Sequence, residues 1–204
     1  MLFNASYLTV GKPGEALFKS KGSKFYSYAF NVKDEAGIKA HLQHLKSQWP
    51  DATHHCYAWR LGAAKTAFRV NDDGEPAGSA GRPIFRYIQN RDLTNVLIVV
   101  VRYFGGSLLG IPGLIEAYGE AARLALEQCD IIEKTVDDIY RISFPFGCEN
   151  DAYRLIKQCR ATIIQQQSAE DISVDIRLPQ SQTSQLLQQA AELHQLRLTY
   201  LYTE

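Results

Sequence analysis

Along most of the chain, apolar residues either alternate with polar ones or recur every three to four positions, and the succession of these two periods predicts an α+β protein. Tyr26, Tyr28, Phe30 and Val32 alternate. With Ala16 to Ser20 on the other side of the basic turn Lys21-Gly22-Ser23-Lys24, they predict a β-hairpin. A helix follows: Asp34 is placed to cap it, Ile38, Leu42, Leu45 and Trp49 share one face, and Pro50 stands just past its end. Two further strands are expected near His54 to Leu61 and Ala67 to Asn71. The segment Val96 to Tyr103 opens with six uninterrupted apolar residues, the mark of a central strand buried on both faces. The next helix is expected to begin near Pro112 or Gly113. Its polar residues Glu116, Glu120, Arg123 and Glu127 form a narrow stripe, so the rest of the helix should be buried.

The remainder of the chain reads β-α-β-β-α-β. Ile139 to Phe144 is a strand, and Ala152, Leu155, Ile156 and Cys159 lie on one face of a helix. Thr162 to Ser168 is a second strand, and Ile172, Val174, Ile176 and Leu178 alternate with polar residues up to Pro179. Ser181 is placed to cap a helix carrying Leu186, Leu187, Ala190 and Leu193, after which Leu196, Leu198, Tyr200 and Tyr202 alternate again. This order is the ferredoxin-like pattern, which hosts many functions. An RNA-reading version would display stacking aromatics on its central strands, and Ile172 to Leu178 has none.

Charge sharpens the division. The 204 residues carry 22 basic and 22 acidic side chains. Up to Thr135 there are 16 basic and 13 acidic residues, and beyond it 6 and 9. The chain is therefore expected to form two domains, 1–135 and 136–204. The neutral total leaves no global basic field to attract nucleic acid, so a polyanion would have to meet a local patch on the first domain. Crossing a bilayer takes about 20 apolar residues, and the run from Val96 to Val101 is far shorter. Met1 to Ser6 lacks a charged leader followed by a long apolar stretch, so a cytoplasmic protein without a membrane partner is expected. The four cysteines, Cys56, Cys129, Cys148 and Cys159, show no metal or disulfide spacing and are expected to be reduced, mostly buried thiols.

Four segments offer chemistry. The run from Arg102 to Leu114 passes from a buried strand through Gly105, Gly106, Gly110 and Gly113 into a helix. Outward amides and the helix dipole would favour an anion there, with Arg102 as a fixed cation. The same glycines would equally serve tight turns and close helix–strand packing. The run is neither a Walker A loop nor a GxGxxG turn, so ATPase and dinucleotide chemistry are poorly supported. The loop Asn71 to Pro83 places Asp72, Asp73 and Glu75 close together without the spacing of a calcium loop, and acidic turns are ordinarily just solvated. Its Ser79 lacks the flanking pattern of a hydrolase nucleophile. His54 and His55 are strand neighbours pointing to opposite faces, so neither a metal pair nor a Cys56–His55 nucleophile follows. His41 and His44 lack a third ligand. Finally, Lys12, Lys19, Lys21 and Lys24 lie among Phe18, Phe25 and Tyr26. That arrangement suits phosphate contact with base stacking, and also suits a hairpin whose lysines discourage edge pairing.

The run Asp72-Asp73-Gly74-Glu75-Pro76-Ala77-Gly78-Ser79-Ala80-Gly81-Arg82-Pro83 is followed by Arg102-Tyr103-Phe104-Gly105-Gly106, then Leu109-Gly110, Gly113-Leu114 and Ala117-Tyr118. In that order these motifs strongly resemble the IMPACT/YigZ family over about the first 130 residues, and the remainder fits the smaller carboxy-terminal domain of its bacterial members. The resemblance implies an amino-terminal domain of the ribosomal-protein-S5 domain-2-like fold and a ferredoxin-like second domain, both similar to the fourth and fifth domains of elongation factor G. It also implies a link to translation, because eukaryotic relatives restrain the kinase that senses uncharged tRNA by competing for its activator. The additional domain those relatives use for this has no counterpart here. Pro112 and Leu108 depart from the glycine and the basic residue found there in many members, which weakens anion binding at the loop.

The leading expectation is therefore a non-enzymatic binding protein that contacts RNA or the ribosome, without a cofactor or catalytic residues. Arg82, Arg102, Lys21 and Lys24 with the backbone at Gly105, Gly106, Gly110 and Gly113 would meet phosphate, while Asp73, Glu75 and Ser79 would order the facing loop. Two alternatives stand beside it: an enzyme or binder for a small phosphorylated or carboxylated metabolite, and an adaptor with a protein partner in translational control.

Overall fold

A computed structural model describes residues 6–204, so the stretch read for a leader, Met1 to Ala5, lies outside the described residues. The fold is α+β, and the chain divides near Thr135 into two compact units. The larger one spans Tyr7–Lys134. Its strands are β1 (Ser6–Lys12), β2 (Gly14–Ser20), β3 (Ser23–Asn31), β4 (His54–Leu61), β5 (Ala67–Asn71), β6 (Val96–Tyr103) and β7 (Asp130–Thr135). Its helices are α1 (Glu35–Gln48), α2 (Gly81–Asn90) and α3 (Gly110–Glu127). Five strands form one antiparallel sheet in the order β2-β3-β6-β4-β5, and β1 pairs separately with β7.

The continuous apolar run at β6 is explained by its place. Val96, Ile98 and Val100 pack beneath α2 and α3, while Leu97, Val99 and Val101 pack on the opposite face with α1. Helix α1 is capped by Asp34, whose carboxylate accepts from the Gly37 amide at 2.7 Å. Helix α3 presses Ala117, Ala121, Ala122 and Ala125 onto the sheet. It comes so close to β2 that a Cβ on Gly14 would sit 2.3 Å from the Ala125 carbonyl oxygen. The polar stripe Glu116, Glu120, Arg123 and Glu127 faces outward, as do the exposed Ile111 and Ile115, and Arg123 is paired to Glu120 at 2.6 Å and to Glu127.

Three readings need correction. Helix α3 starts at Gly110, before the expected Pro112 or Gly113, because the positive φ of Gly110 turns the chain directly into the helix. Residues Gly81 to Pro83 do not belong to a loop. They open α2, since Pro83 is compatible with a first helical turn and Ile84, Phe85 and Ile88 supply a buried face. Ser181 does not cap α5 (Thr183–Ala191); it lies in a short 3₁₀ turn, Gln180–Gln182, and no side chain caps the helix.

The second unit contains β8 (Asp137–Phe144), α4 (Glu149–Gln158), β9 (Thr162–Ser168), β10 (Ile172–Pro179), α5 and β11 (Arg197–Thr203). The sheet order β11-β8-β10-β9 is the ferredoxin-like arrangement. Strand β10 buries every second residue against α4 and α5, as its alternation predicts. On the other face Arg141 holds Asp175 through two bonds of 2.6 and 2.8 Å, and Ser143 meets Ser173 at 3.1 Å. These central strands offer no stacking platform there.

Candidate functional site

The sequence-predicted groups converge at one end of the five-stranded sheet in the larger unit, where β6 runs into the glycine loop. Arg102, the penultimate residue of β6, is buried. Its Nη1 donates to Glu75 Oε1 at 2.5 Å, and its Nη2 lies 3.4 Å from Ser23 Oγ. Tyr118 on α3 donates to the same Glu75 oxygen at 2.7 Å, and the Cys56 thiol donates to the Tyr118 hydroxyl at 3.3 Å and to the Asp72 carbonyl at 3.0 Å. Burial pushes both the Cys56 thiol and the Tyr118 hydroxyl far up, so each remains protonated and Cys56 is not a nucleophile. Arg102 is thus half of a buried ion pair, not the free cation expected for phosphate. Glu75 points inward to that pair instead of ordering the loop.

Asp72 orders the loop. Its carboxylate accepts from the amides of Gly78, Ala80 and Gly81 at 2.8, 3.0 and 2.8 Å, which also satisfies donors at the start of α2. Sequence reasoning passed over it, although the signal was present in an acidic residue shortly before a Gly-Ser-Ala-Gly run. Asp73 helps by accepting from the His55 amide at 2.6 Å, and Ser79 donates to the Pro76 carbonyl at 2.6 Å. The three carboxylates diverge, and no cluster fit for a metal exists among the described residues. Burial raises the Asp72 pKa, but the three amide bonds outweigh that effect and the net shift is downward. A depressed pKa adds stability that is present above the unfolded value near 3.9 and is lost as pH falls through the folded value. Asp72→Asn is therefore expected to cost about 1–3 kcal/mol at pH 7 in urea unfolding. The difference from the parent should shrink below about pH 4, and a gap independent of pH would refute this role.

The glycines divide between packing and turning. A Cβ on Gly105 would lie 1.9 Å from the Gly22 carbonyl carbon, so Gly105 exists to let the loop touch the tip of the β2–β3 hairpin. The contact is held by the Gly105 amide, which donates to Ser23 Oγ at 3.2 Å. Gly106 and Gly110 have positive φ, and Gly113 packs on Leu109. Pro112 removes one amide from the first turn of α3. Lys21 and Lys24 are exposed at the joined hairpin tip, with Lys19 directly opposite Lys24 in the register. No ion pair neutralises these three among the described residues. Phe25 is in the core, and Tyr26 stacks on Trp49, so neither is free to stack. Phe104 is the ring left exposed, with the Arg102 guanidinium 5.7 Å from its centre. Arg82 is exposed on α2 beside Phe68, Phe85 and Arg86, apart from this surface.

Between these groups lies a cavity of about 450 Å³. Pro76, Phe104, Leu108, Leu109, Ile111 and Leu114 supply its apolar lining, while Thr53, His54, Glu75 and Arg102 supply the polar part. His54 was set aside in the sequence as a strand histidine. Its Nδ1 lies 2.7 Å from the Asp73 carbonyl, and its Nε2 lies 3.8 Å from Glu75 Oε1.

An α+β unit with a glycine loop folded onto a basic hairpin, followed by a ferredoxin-like unit, defines a class of two-unit proteins without a metal or nucleotide motif. The model of the Impact N-terminal domain matches residues 21–126, and the chain belongs to the IMPACT family. It is 30% identical to the IMPACT family member YigZ of Escherichia coli over 98% of both chains. It is 36% identical to YvyE of Bacillus subtilis, over 68% of this chain and 64% of that one. A solved structure described only as that of a hypothetical protein superposes with a TM-score of 0.78 at 29% identity, covering 98% of both chains. No helix among the described residues is long and apolar enough to cross a membrane.

Proposed function

We propose that the protein is a non-enzymatic binding protein linked to translation and its regulation, and that it contacts RNA, free or within the ribosome, through the joined hairpin tip and glycine loop. Family membership supports the link to translation. The observation that carries the RNA contact is the seating of Gly105 on Gly22, which joins the glycine loop to the hairpin tip that bears Lys21, while Lys19 and Lys24 stand with Tyr103 on the sheet face opposite Arg102 and Phe104. Exposed lysines without ion-pair partners among the described residues suit the phosphates of a single strand of any sequence. Like charges facing each other at Lys19 and Lys24 disfavour the hairpin on its own, and a bound polyanion would relieve that cost. Arg102 takes part indirectly, as the buried cation beneath Phe104.

Salt dependence tests this directly. Three phosphate contacts to single-stranded RNA predict a log–log slope of about −2 for affinity against salt concentration. In fluorescence anisotropy with a labelled RNA dodecamer, Lys21→Ala/Lys24→Ala should flatten that slope by about 1.4. A titration that is flat with salt in the parent would refute RNA contact through this surface.

A further inference from the structure

Strand β5 is the last strand of the five-stranded sheet and is paired on one side only, with β4. The backbone N–H and C=O groups along its outer edge therefore have no partner in the sheet. Phe68 and Val70 face α2, because alternation puts both on the side where Phe68 stacks on Phe85, with 4.8 Å between ring centres and 19° between planes. Helix α2 starts against the end of this strand, where a Cβ on Gly81 would meet the Asn71 nitrogen at 2.7 Å, and by Phe85 it has reached Phe68. It thus runs back alongside the open edge. Arg82, Arg86 and Gln89 form its exposed stripe at i, i+4 and i+7. Between stripe and strand lies a groove of about 340 Å³, lined by those three residues with Phe68, Val70 and Phe85.

Two features distinguish this groove from a solvated face. Phe68 is 55% exposed although it is half of an aromatic stack, so apolar surface stays open beside the strand edge. Neither Arg82 nor Arg86 makes an ion pair among the described residues. Like charges at i and i+4 repel, and a cation in the first turn opposes the helix dipole, so both charges cost α2 stability. The carboxylates nearby do not relieve them. Asp72 feels the charge of Arg82 but spends its oxygens on three amides. Glu116 and Glu120 line the far side of Arg86, where Glu120 is held by Arg123.

Charge and edge together select the occupant. A nucleic acid supplies anions, but it has no row of N–H and C=O groups at the spacing of a strand. A polypeptide has one. We propose that this groove binds an extended acidic segment of a partner protein, which adds to the sheet beside β5 as a sixth strand. Alternate side chains of that segment face α2, so an apolar one covers Phe68 and a carboxylate two positions away meets Arg82 or Arg86. The groove does not include the lysines of the hairpin tip, so the proposal stands independently of RNA contact there.

Fluorescence anisotropy with a labelled peptide of three Glu-Thr-Val-Thr repeats tests this, because that pattern puts glutamate and valine on one face of a strand. The peptide should bind about tenfold more tightly than its counterpart with lysine for glutamate. Arg82→Ala/Arg86→Ala should weaken it by about tenfold, the scale of two exposed charge pairs. Phe68→Ser, at an exposed ring, is a second variant that should weaken it with both arginines in place. Methylating the backbone nitrogens of the threonines in one peptide, and those of the glutamates and valines in another, blocks one edge of the strand at a time. At least one of the two should lose binding. Failure of the glutamate peptide to bind the parent, or undiminished binding by both folded variants, overturns the proposal. Binding that survives both methylations overturns strand addition. If labelled oligo(U) loses affinity in Arg82→Ala/Arg86→Ala while the peptide does not, the groove belongs to RNA and the proposal falls.

Discussion

Gly105→Ala is expected to destabilise the larger unit by about 3 kcal/mol or more, at the upper end of overpacking costs. The added methyl would lie 1.9 Å from the Gly22 carbonyl carbon, 2.1 Å from the Ser23 nitrogen and 2.3 Å from the Gly22 oxygen. All three are backbone atoms, so no rotamer change relieves the clash and the loop must leave the hairpin tip. Gly22 is itself at φ 80°, within 2.7 Å of the Gly105 oxygen by the same test, so the tip has no room to retreat. Gly106→Ala supplies the contrast. Nothing lies within 4 Å of its added Cβ, and only the strain of its positive φ remains, about 1 kcal/mol. Urea unfolding followed by tryptophan fluorescence measures both, because the two tryptophans, Trp49 and Trp59, lie in the larger unit. A Gly105→Ala protein as stable as Gly106→Ala would mean that the loop does not dock on the hairpin. Its RNA affinity should fall as well, since the glycine loop would no longer be joined to the lysine-bearing hairpin tip.

Local patterns made much of this fold readable. Strands β4, β5, β6 and β9 begin and end where alternation or apolar runs place them, and the Asp34 cap and the outward stripe of α3 are visible as spacing alone. The misses share a cause in long-range contact. Strands β1 and β7 pair across more than a hundred residues and bury little, so neither shows a strong period by itself. Helix α2 was hidden by its opening Gly81-Arg82-Pro83. Gly81 is there because a Cβ would meet the Asn71 nitrogen at 2.7 Å, which is a packing constraint rather than a turn signal. The site follows the same rule. Gly105, Gly106, Lys21 and Lys24 are prominent in the chain because glycine and lysine clusters are local. The partnership of Arg102 with Glu75 and Tyr118 joins three elements and leaves no trace in spacing. An arginine before a glycine loop reads as a phosphate ligand until the carboxylate opposite it is known.

That buried partnership sets the second large effect. Glu75→Ala is expected to cost about 3–5 kcal/mol, because it leaves the Arg102 charge without compensation in a site from which water is largely excluded. It also removes the acceptor of the Tyr118 hydroxyl, which in turn accepts from Cys56. Arg102→Met should cost a similar amount by stranding the Glu75 carboxylate, although Tyr118 still donates to it. The double variant Glu75→Leu/Arg102→Met removes both charges and replaces them with apolar volume, so it should be markedly more stable than either single variant. Near-additive losses would mean that the two groups are solvated separately and that the Arg102–Glu75 contact contributes little.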